Sequence, residues 1–189
     1  GLLIVDLTDM TGNTYWHVNQ FINPVSGDSI RFTSSHNLYI DENGIIYIYG
    51  AKNNGAYVAN GGAIFLDASN NAINPYYLGQ WNGQYIHDGM ARGDTLYAGC
   101  IYSGNLYIID VSNKLNPSVI GMHPTPNAFT HNIWVSDDGS YVFTTDEKPN
   151  AYISAFDIND MNNIQEVDRI QLNPGSNSIP HNVHVDGNF

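Results

Sequence analysis

The sequence predicts an all-β fold: a β-propeller of four-stranded antiparallel blades, partial, with about three full blades plus parts of two. Three observations carry this. Short apolar runs rich in aromatic and β-branched residues alternate with turn residues, as in Ile133-Trp134-Val135, Asp137-Asp138-Gly139 and Tyr141-Val142-Phe143, the pattern of an antiparallel meander. A His-anchored string recurs as His36-Asn37-Leu38-Tyr39-Ile40, His87-Asp88-Gly89-Met90-Ala91, His131-Asn132-Ile133-Trp134-Val135 and His181-Asn182-Val183-His184-Val185, in steps of 51, 44 and 50 residues, which is blade spacing (roughly 40 to 50 residues). A second anchor keeps constant order with the first: Leu3-Ile4-Val5-Asp6, Ile64-Phe65-Leu66-Asp67, Tyr107-Ile108-Ile109-Asp110 and Ser154-Ala155-Phe156-Asp157.

Residues 1–189 read as a single partial propeller domain in which 1–33 end a blade, 34–84, 85–128 and 129–179 are blades, and 180–189 start another. The chain opens in a third strand, Leu2 to Asp6, followed by a turn from Asp9 to Thr14, an outer strand from Tyr15 to Phe21 and a connection from Pro24 to Asp28. The first whole blade has strands at Leu38–Asp41, Ile45–Tyr49, Ala63–Asp67 and Tyr76–Gln80, with a Gly/Asn loop before Ala63. Asn43-Gly44 supplies its first hairpin, because both residues tolerate φ > 0. The next blade has Met90-Ala91, Thr95–Gly99, Asn105–Asp110 and Ser118–Gly121. Its Arg92-Gly93-Asp94 matches a cell-adhesion tripeptide but occupies the place of the turns Glu42-Asn43-Gly44 and Asp137-Asp138-Gly139, so it is read as a turn. The third blade has Ile133–Ser136, Tyr141–Thr144 and Ile153–Asp157, and Val183–Asp186 starts a further first strand before a hairpin at Asp186-Gly187-Asn188-Phe189. No segment sustains a 3.6-residue period, so helix content should be very low.

Composition excludes several functions. The net charge is −12 with only 6 Lys plus Arg and no basic cluster, so a nucleic-acid backbone would be repelled. No apolar run approaches the roughly 20 residues of a membrane span. The sole cysteine, Cys100, rules out an intrachain disulfide framework and a Cys-based zinc finger.

The strings Leu2-Leu3-Ile4-Val5-Asp6 and Leu106-Tyr107-Ile108-Ile109-Asp110-Val111-Ser112, with Asn116-Pro117 beyond, resemble the LVIVD repeat. Tyr141-Val142-Phe143-Thr144-Thr145-Asp146-Glu147, followed by Pro180-His181-Asn182-Val183-His184-Val185-Asp186-Gly187-Asn188, is similar to the choice-of-anchor B family of secreted bacterial β-propellers. The resemblance spans essentially the whole chain. It implies an extracellular or cell-surface protein. The chain as a whole is read as a binding or structural interaction module, with a protein or carbohydrate partner.

In a propeller the first strand of each blade lines the axis. Each repeat places its His just before that strand, so His36, His87, His131 and His181 should gather at one mouth of the channel, with the loops opposite contributing Ala51-Lys52-Asn53, Cys100-Ile101-Tyr102 and Asp146-Glu147. Neutral imidazoles with carboxylates nearby are ligands for Zn, Cu or Fe. Three readings stay open: hydrogen bonding that pins each repeat to its neighbour, a metal site that could support a metal-dependent enzyme, and acid/base chemistry without metal. Asp146-Glu147 could ligate Ca²⁺, although one acidic pair lacks the alternating ligands of a dedicated calcium loop, and a solvated loop is the simpler expectation.

Other residues read as structural. His181 and His184 are three apart and on a strand would face opposite ways. His17 and His123 fall on outer strands as solvated residues, and Cys100 is expected to be buried and inert. Ser34 and Ser35 lack the strand-turn-helix elbow of a serine hydrolase. The Asp ending each third strand, at Asp6, Asp67, Asp110 and Asp157, should accept N–H groups of the following turn. A seven- or eight-blade ring needs on the order of 330 to 380 residues, so the chain is expected to form an open arc with an exposed inner strand near Phe189.

Overall fold

The computed structural model describes residues 1–11 and 14–186. The inner edge expected near Phe189, the hairpin at Asp186–Phe189 and part of the Asp9–Thr14 turn lie outside them. Strand β1 (Leu2–Val5) pairs antiparallel with β2 (Tyr15–Val18), and β3 (Gln20–Ile22) with β4 (Ser29–Arg31). Blade one is β5 (Asn37–Ile40), β6 (Ile45–Tyr49), β9 (Ala63–Asp67) and β10 (Tyr76–Trp81), with a small hairpin of β7 (Lys52–Asn53) and β8 (Ala56–Tyr57) in the loop after β6. Blade two is β11 (Asp88–Arg92), β12 (Thr95–Cys100), β13 (Asn105–Asp110) and β14 (Ser118–Pro124); blade three is β15 (Thr130–Val135), β16 (Tyr141–Asp146), β17 (Ile153–Asp157) and β18 (Gln165–Ile170). All pairings run antiparallel. Among the described residues the one helical element is a 3₁₀ turn at Ala59–Gly61, and no helix is long and apolar enough to cross a membrane.

The alternation of side chains explains how the blades stack. On β6, Tyr47 and Tyr49 pack with Leu96, Ala98 and Ile109 of blade two, while Ile46 and Ile48 pack the other way, with Leu2, Phe21 and Phe32 of the preceding sheets. Blade two repeats the rule: Leu96, Ala98 and Tyr107 face blade one, whereas Tyr97, Leu106 and Ile108 face Ile133, Val142 and Phe156 of blade three. Successive residues of a strand point to opposite faces, and both faces of a central blade are covered. Its strands therefore read as nearly continuous apolar runs.

One irregularity recurs in every whole blade. The outer strand gains one residue against the third strand, with Leu78, Ile120 and Val167 left opposite no partner where the register shifts. In each case the bulge falls beside the residue just before the terminal Asp, at Leu66, Ile109 and Phe156. A bulge bends its strand and increases twist.

The structure departs from the sequence reading in several places. The run Tyr15–Phe21 is broken at Asn19, whose carbonyl accepts the Phe32 N–H at 3.0 Å, and its second half forms a hairpin with residues 29–31 rather than one outer strand. Strand β15 begins three residues earlier than expected, so His131 lies inside it. Val183–Asp186 is not a ladder strand: the Val183 N–H is donated to the side-chain Oδ1 of Asn132 at 2.9 Å. His123 is half-buried, with its ring 5.1 Å from that of Phe156.

Candidate metal centre

The four repeat histidines come together in a file. Their ring centroids are 3.7 Å apart for His36 and His87, 4.5 Å for His87 and His131, and 4.1 Å for His131 and His181. Backbone pairing puts them there. The N–H groups of His36 and His87 extend the first hairpin of their blades by donating to Tyr49 and Gly99 carbonyls, each at 2.9 Å. His131 is the extra residue where β15 slips against β16 between Thr130 and Asn132, a bulge of the kind that re-aims a side chain. His184 goes elsewhere, packing edge-on against Trp134 with centroids 4.4 Å apart.

The residue after each histidine builds a second layer. Asp88 is buried, and its Oδ1 accepts the Asn37 amide at 2.7 Å and the Gly89 N–H at 2.8 Å. Its Oδ2 accepts the amides of Asn132 and Asn182, each at 3.0 Å. One carboxylate thus gathers an amide from each of the other three repeats. These amides tie repeat to repeat beneath the imidazoles.

A pocket of about 310 Å³ is lined by His36, His87, His131, His181 and Glu147, with Asn37, Asp88 and Asn182. His131 Nε2 is 3.7 Å from Glu147 Oε2, and His181 Nε2 is 3.8 Å from Oε1. One ligand atom each from His87, His131 and Glu147 fall within 4.8 Å of one another. His131 is buried, and among the described residues its Nδ1 has no hydrogen-bond partner. Burial, followed by the neighbouring His36, His131 and His181, pushes His87 down to about 3. Burial and then His181 also lower His131, against the pull of Glu147. Both imidazoles are therefore neutral at pH 7, the state in which a ring nitrogen offers its lone pair. The cluster could hold a metal ion, and with three protein donors an ion would keep positions open for a further ligand.

Asp146 is placed differently from the other proposed site residues. It is buried beneath the loop, accepting Thr125 Oγ1 at 2.6 Å and the N–H groups of Asn127 and Phe129 at 2.9 Å each. Those bonds shape the 125–130 turn, and Asp146 does not line the pocket. The solvated-loop expectation is corrected for this residue, because the turn supplies its own donors. The Arg92-Gly93-Asp94 segment is the tight turn between β11 and β12; Arg92 Nη1 donates to the Ser136 carbonyl at 2.6 Å, and the Gly93 N–H to Glu42 Oε1 at 3.0 Å. Cys100 is fully buried, which pushes its thiol well up and leaves it unreactive. Sequence reasoning missed the Asp88 clasp, although its signal was present: Asn follows His in the first, third and fourth repeats and Asp in the second.

The chain matches no protein-family profile and no curated protein. Solved structures do share its fold. Hydrazine synthase from Kuenenia stuttgartiensis superimposes at a TM-score of 0.60 with 15% identity, over 80% of this chain and 38% of that one. A 6-phosphogluconolactonase candidate from Bacteroides uniformis gives 0.58 at 16% identity, over 95% and 56%, and one from Bacteroides fragilis 0.52 at 12%, over 84% and 52%. Such identities establish the propeller architecture alone. The chain spans 38% to 56% of the length of these proteins.

Proposed function

We propose that this protein is an exported β-propeller of the LVIVD, choice-of-anchor B type that binds a transition-metal ion at its axial mouth and presents it to a small ligand. His87, His131 and Glu147 are the ligands, with His36 and His181 flanking. The convergence of three donor atoms within 4.8 Å carries this reading. The buried, unpartnered Nδ1 of His131 supports it, since burying a polar atom without a partner is costly unless something satisfies it. Two imidazoles and one carboxylate suit Zn, Fe or Cu and are a poor set for Ca²⁺, which takes oxygen donors. Export rests on the likeness of the LVIVD strings.

The test is direct. Metal-stripped protein titrated with Co²⁺ should take up about one equivalent with visible d–d absorption, and both Glu147→Gln and His87→Ala should weaken uptake at least about tenfold. No uptake, or uptake unchanged in both variants, would sink the proposal.

A second reading is a metal-free interaction module engaging a protein or carbohydrate partner at the cell surface. The Asp88 clasp favours it, because it gives the repeated His-Asn pairs a structural purpose without any ion. It explains the amides but leaves the imidazoles without a role. Partner capture by metal-stripped protein, undiminished in Glu147→Gln, would support this reading over the first.

A further inference from the structure

Beside the histidines lies a second, smaller pocket of about 140 Å³, lined by Ser34, Ser35, His36, Gly50, Lys52 and Tyr85. His36 lines both, so the two share a wall. Backbone pairing builds it: Lys52 on β7 donates its N–H to the Ser34 carbonyl at 2.8 Å, and the Ser34 N–H returns to the Lys52 carbonyl at 3.2 Å. The chain carries 18 Asp plus Glu, yet Lys52 makes no ion pair among the described residues, whereas Arg92 and Arg169 do. Its ammonium instead lies 4.6 Å from the centroid of the Tyr57 ring.

The wall beyond Lys52 is aromatic. Tyr85 is 5.3 Å from Tyr57 and 4.6 Å from Tyr102 between centroids, and Tyr102 is 72% exposed. Two glycines let the backbone reach these rings. A Cβ on Gly50 would lie 2.8 Å from the His36 Cβ and 3.0 Å from Tyr85, and one on Gly61 2.7 Å from Tyr85 and 2.9 Å from Tyr57. Both have positive φ, where glycine is favoured.

We propose that this pocket binds a small aromatic carboxylate. The carboxylate sits between the Lys52 ammonium and the Ser34 and Ser35 hydroxyls, and the ring lies against Tyr85 and Tyr102. A protein of net charge −12 repels anions in general, so a local unpaired cation is what admits one. Rings that already pack edge-on and tilted at these spacings can take a further ring in one of the same arrangements. A sugar acid fits less well, because the wall beyond the ammonium is built of aromatic rings, which suit a flat apolar ring better than a hydroxylated one. Calling this the ligand subsite of the histidine centre rests on the metal reading above; the pocket's own chemistry does not.

The experiment titrates benzoate, benzyl alcohol and glucuronate into metal-stripped protein, followed by ligand-detected NMR. Benzoate should saturate in about the millimolar range, with the neutral alcohol and the sugar acid at least about tenfold weaker. Lys52→Met should weaken benzoate at least about tenfold, and Lys52→Arg should restore it, which separates lost charge from lost fold. Non-saturable benzoate, equal binding of benzyl alcohol or glucuronate, or an unaffected Lys52→Met would overturn the proposal. Because no metal is present, these outcomes are independent of the Co²⁺ titration. Metal uptake without benzoate binding defeats this inference alone, and benzoate binding without metal uptake defeats the metal reading alone.

Discussion

Two residues repeat through the chain, one at the start of each first strand and one at the end of each third strand, and the structure treats them differently. The terminal acids act locally. Asp6, Asp67, Asp110 and Asp157 each accept the N–H two residues ahead, at 2.8 to 2.9 Å, at the exposed rim of the sheet. Their turn donors hold the carboxyls of Asp6 and Asp67, chiefly through the Thr8 and Ser69 hydroxyls, and of Asp110, chiefly through the Ser112 N–H, below the usual carboxylate range. The His-Asx pairs do the opposite: Asp88 is bonded to residues 51, 44 and 94 positions away. A residue repeated for a turn solves the same small problem in each blade, whereas residues repeated toward the axis meet one another and make a single site. Convergence in space, more than recurrence in sequence, marks the functional candidate.

Substitutions can break that contrast, beginning with the largest effect. Asp88→Ala strands three amides and the Gly89 N–H around one buried point and should cost about 3 kcal/mol or more, read by urea melting. Co²⁺ uptake should fall with it, because the clasp sets the spacing of the histidines. Glu147→Gln should leave the melt nearly unchanged but cost at least about tenfold in metal affinity, read by competition with a chelator. Gly50→Ala should destabilise by about 1 to 3 kcal/mol, from the strain of a side chain at φ +60° and the close approach to His36. Asp110→Ala should shift the melt less than Asp88→Ala or Gly50→Ala, since its bonds are local and exposed; a shift as large as that of Asp88→Ala would erase the distinction.

Acid sharpens the same comparison. In the unfolded chain His87 takes a proton near the ordinary 6.5, but in the folded protein its burial holds protonation off down to about 3. The unfolded state then binds more protons between these limits, so the stability of the metal-free protein should be full above about pH 6.5 and decline as pH falls toward 3. His87→Gln should flatten that decline in melts across the range. An unchanged slope would show that His87 does not titrate as its burial requires.

Much of the fold was legible because strand alternation and turn chemistry are local. Ile45–Tyr49, Ala63–Asp67, Asn105–Asp110 and Ile153–Asp157 occur with the bounds read from sequence. What failed depended on partners. Val183–Asp186 carries strand alternation, yet alternation does not say whether a ladder exists, and a side-chain amide takes the Val183 N–H. The run Tyr15–Phe21 was divided by a bond from Phe32, beyond any local window. Of the site, the four histidines were visible through their period, while Asp146 was misplaced because its partners Thr125, Asn127 and Phe129 precede it by about twenty residues. Lys52 falls on a loop expected to face the histidines, whereas Tyr85 carries no motif, and only the folded chain brings it beside His36.

The recurring bulge in the outer strands bears on how these molecules behave at high concentration. An outer strand is an edge, with a row of N–H and C=O groups that another chain could extend into a fibre. The slip at Leu78, Ile120 and Val167 bends each edge at an equivalent point, so a straight incoming strand would lose register there. The edges carry further deterrents to such growth, Pro124 on β14 and Glu166, Asp168 and Arg169 on β18. The same irregularity that breaks the register within a blade thus acts against amyloid-like addition along its rim.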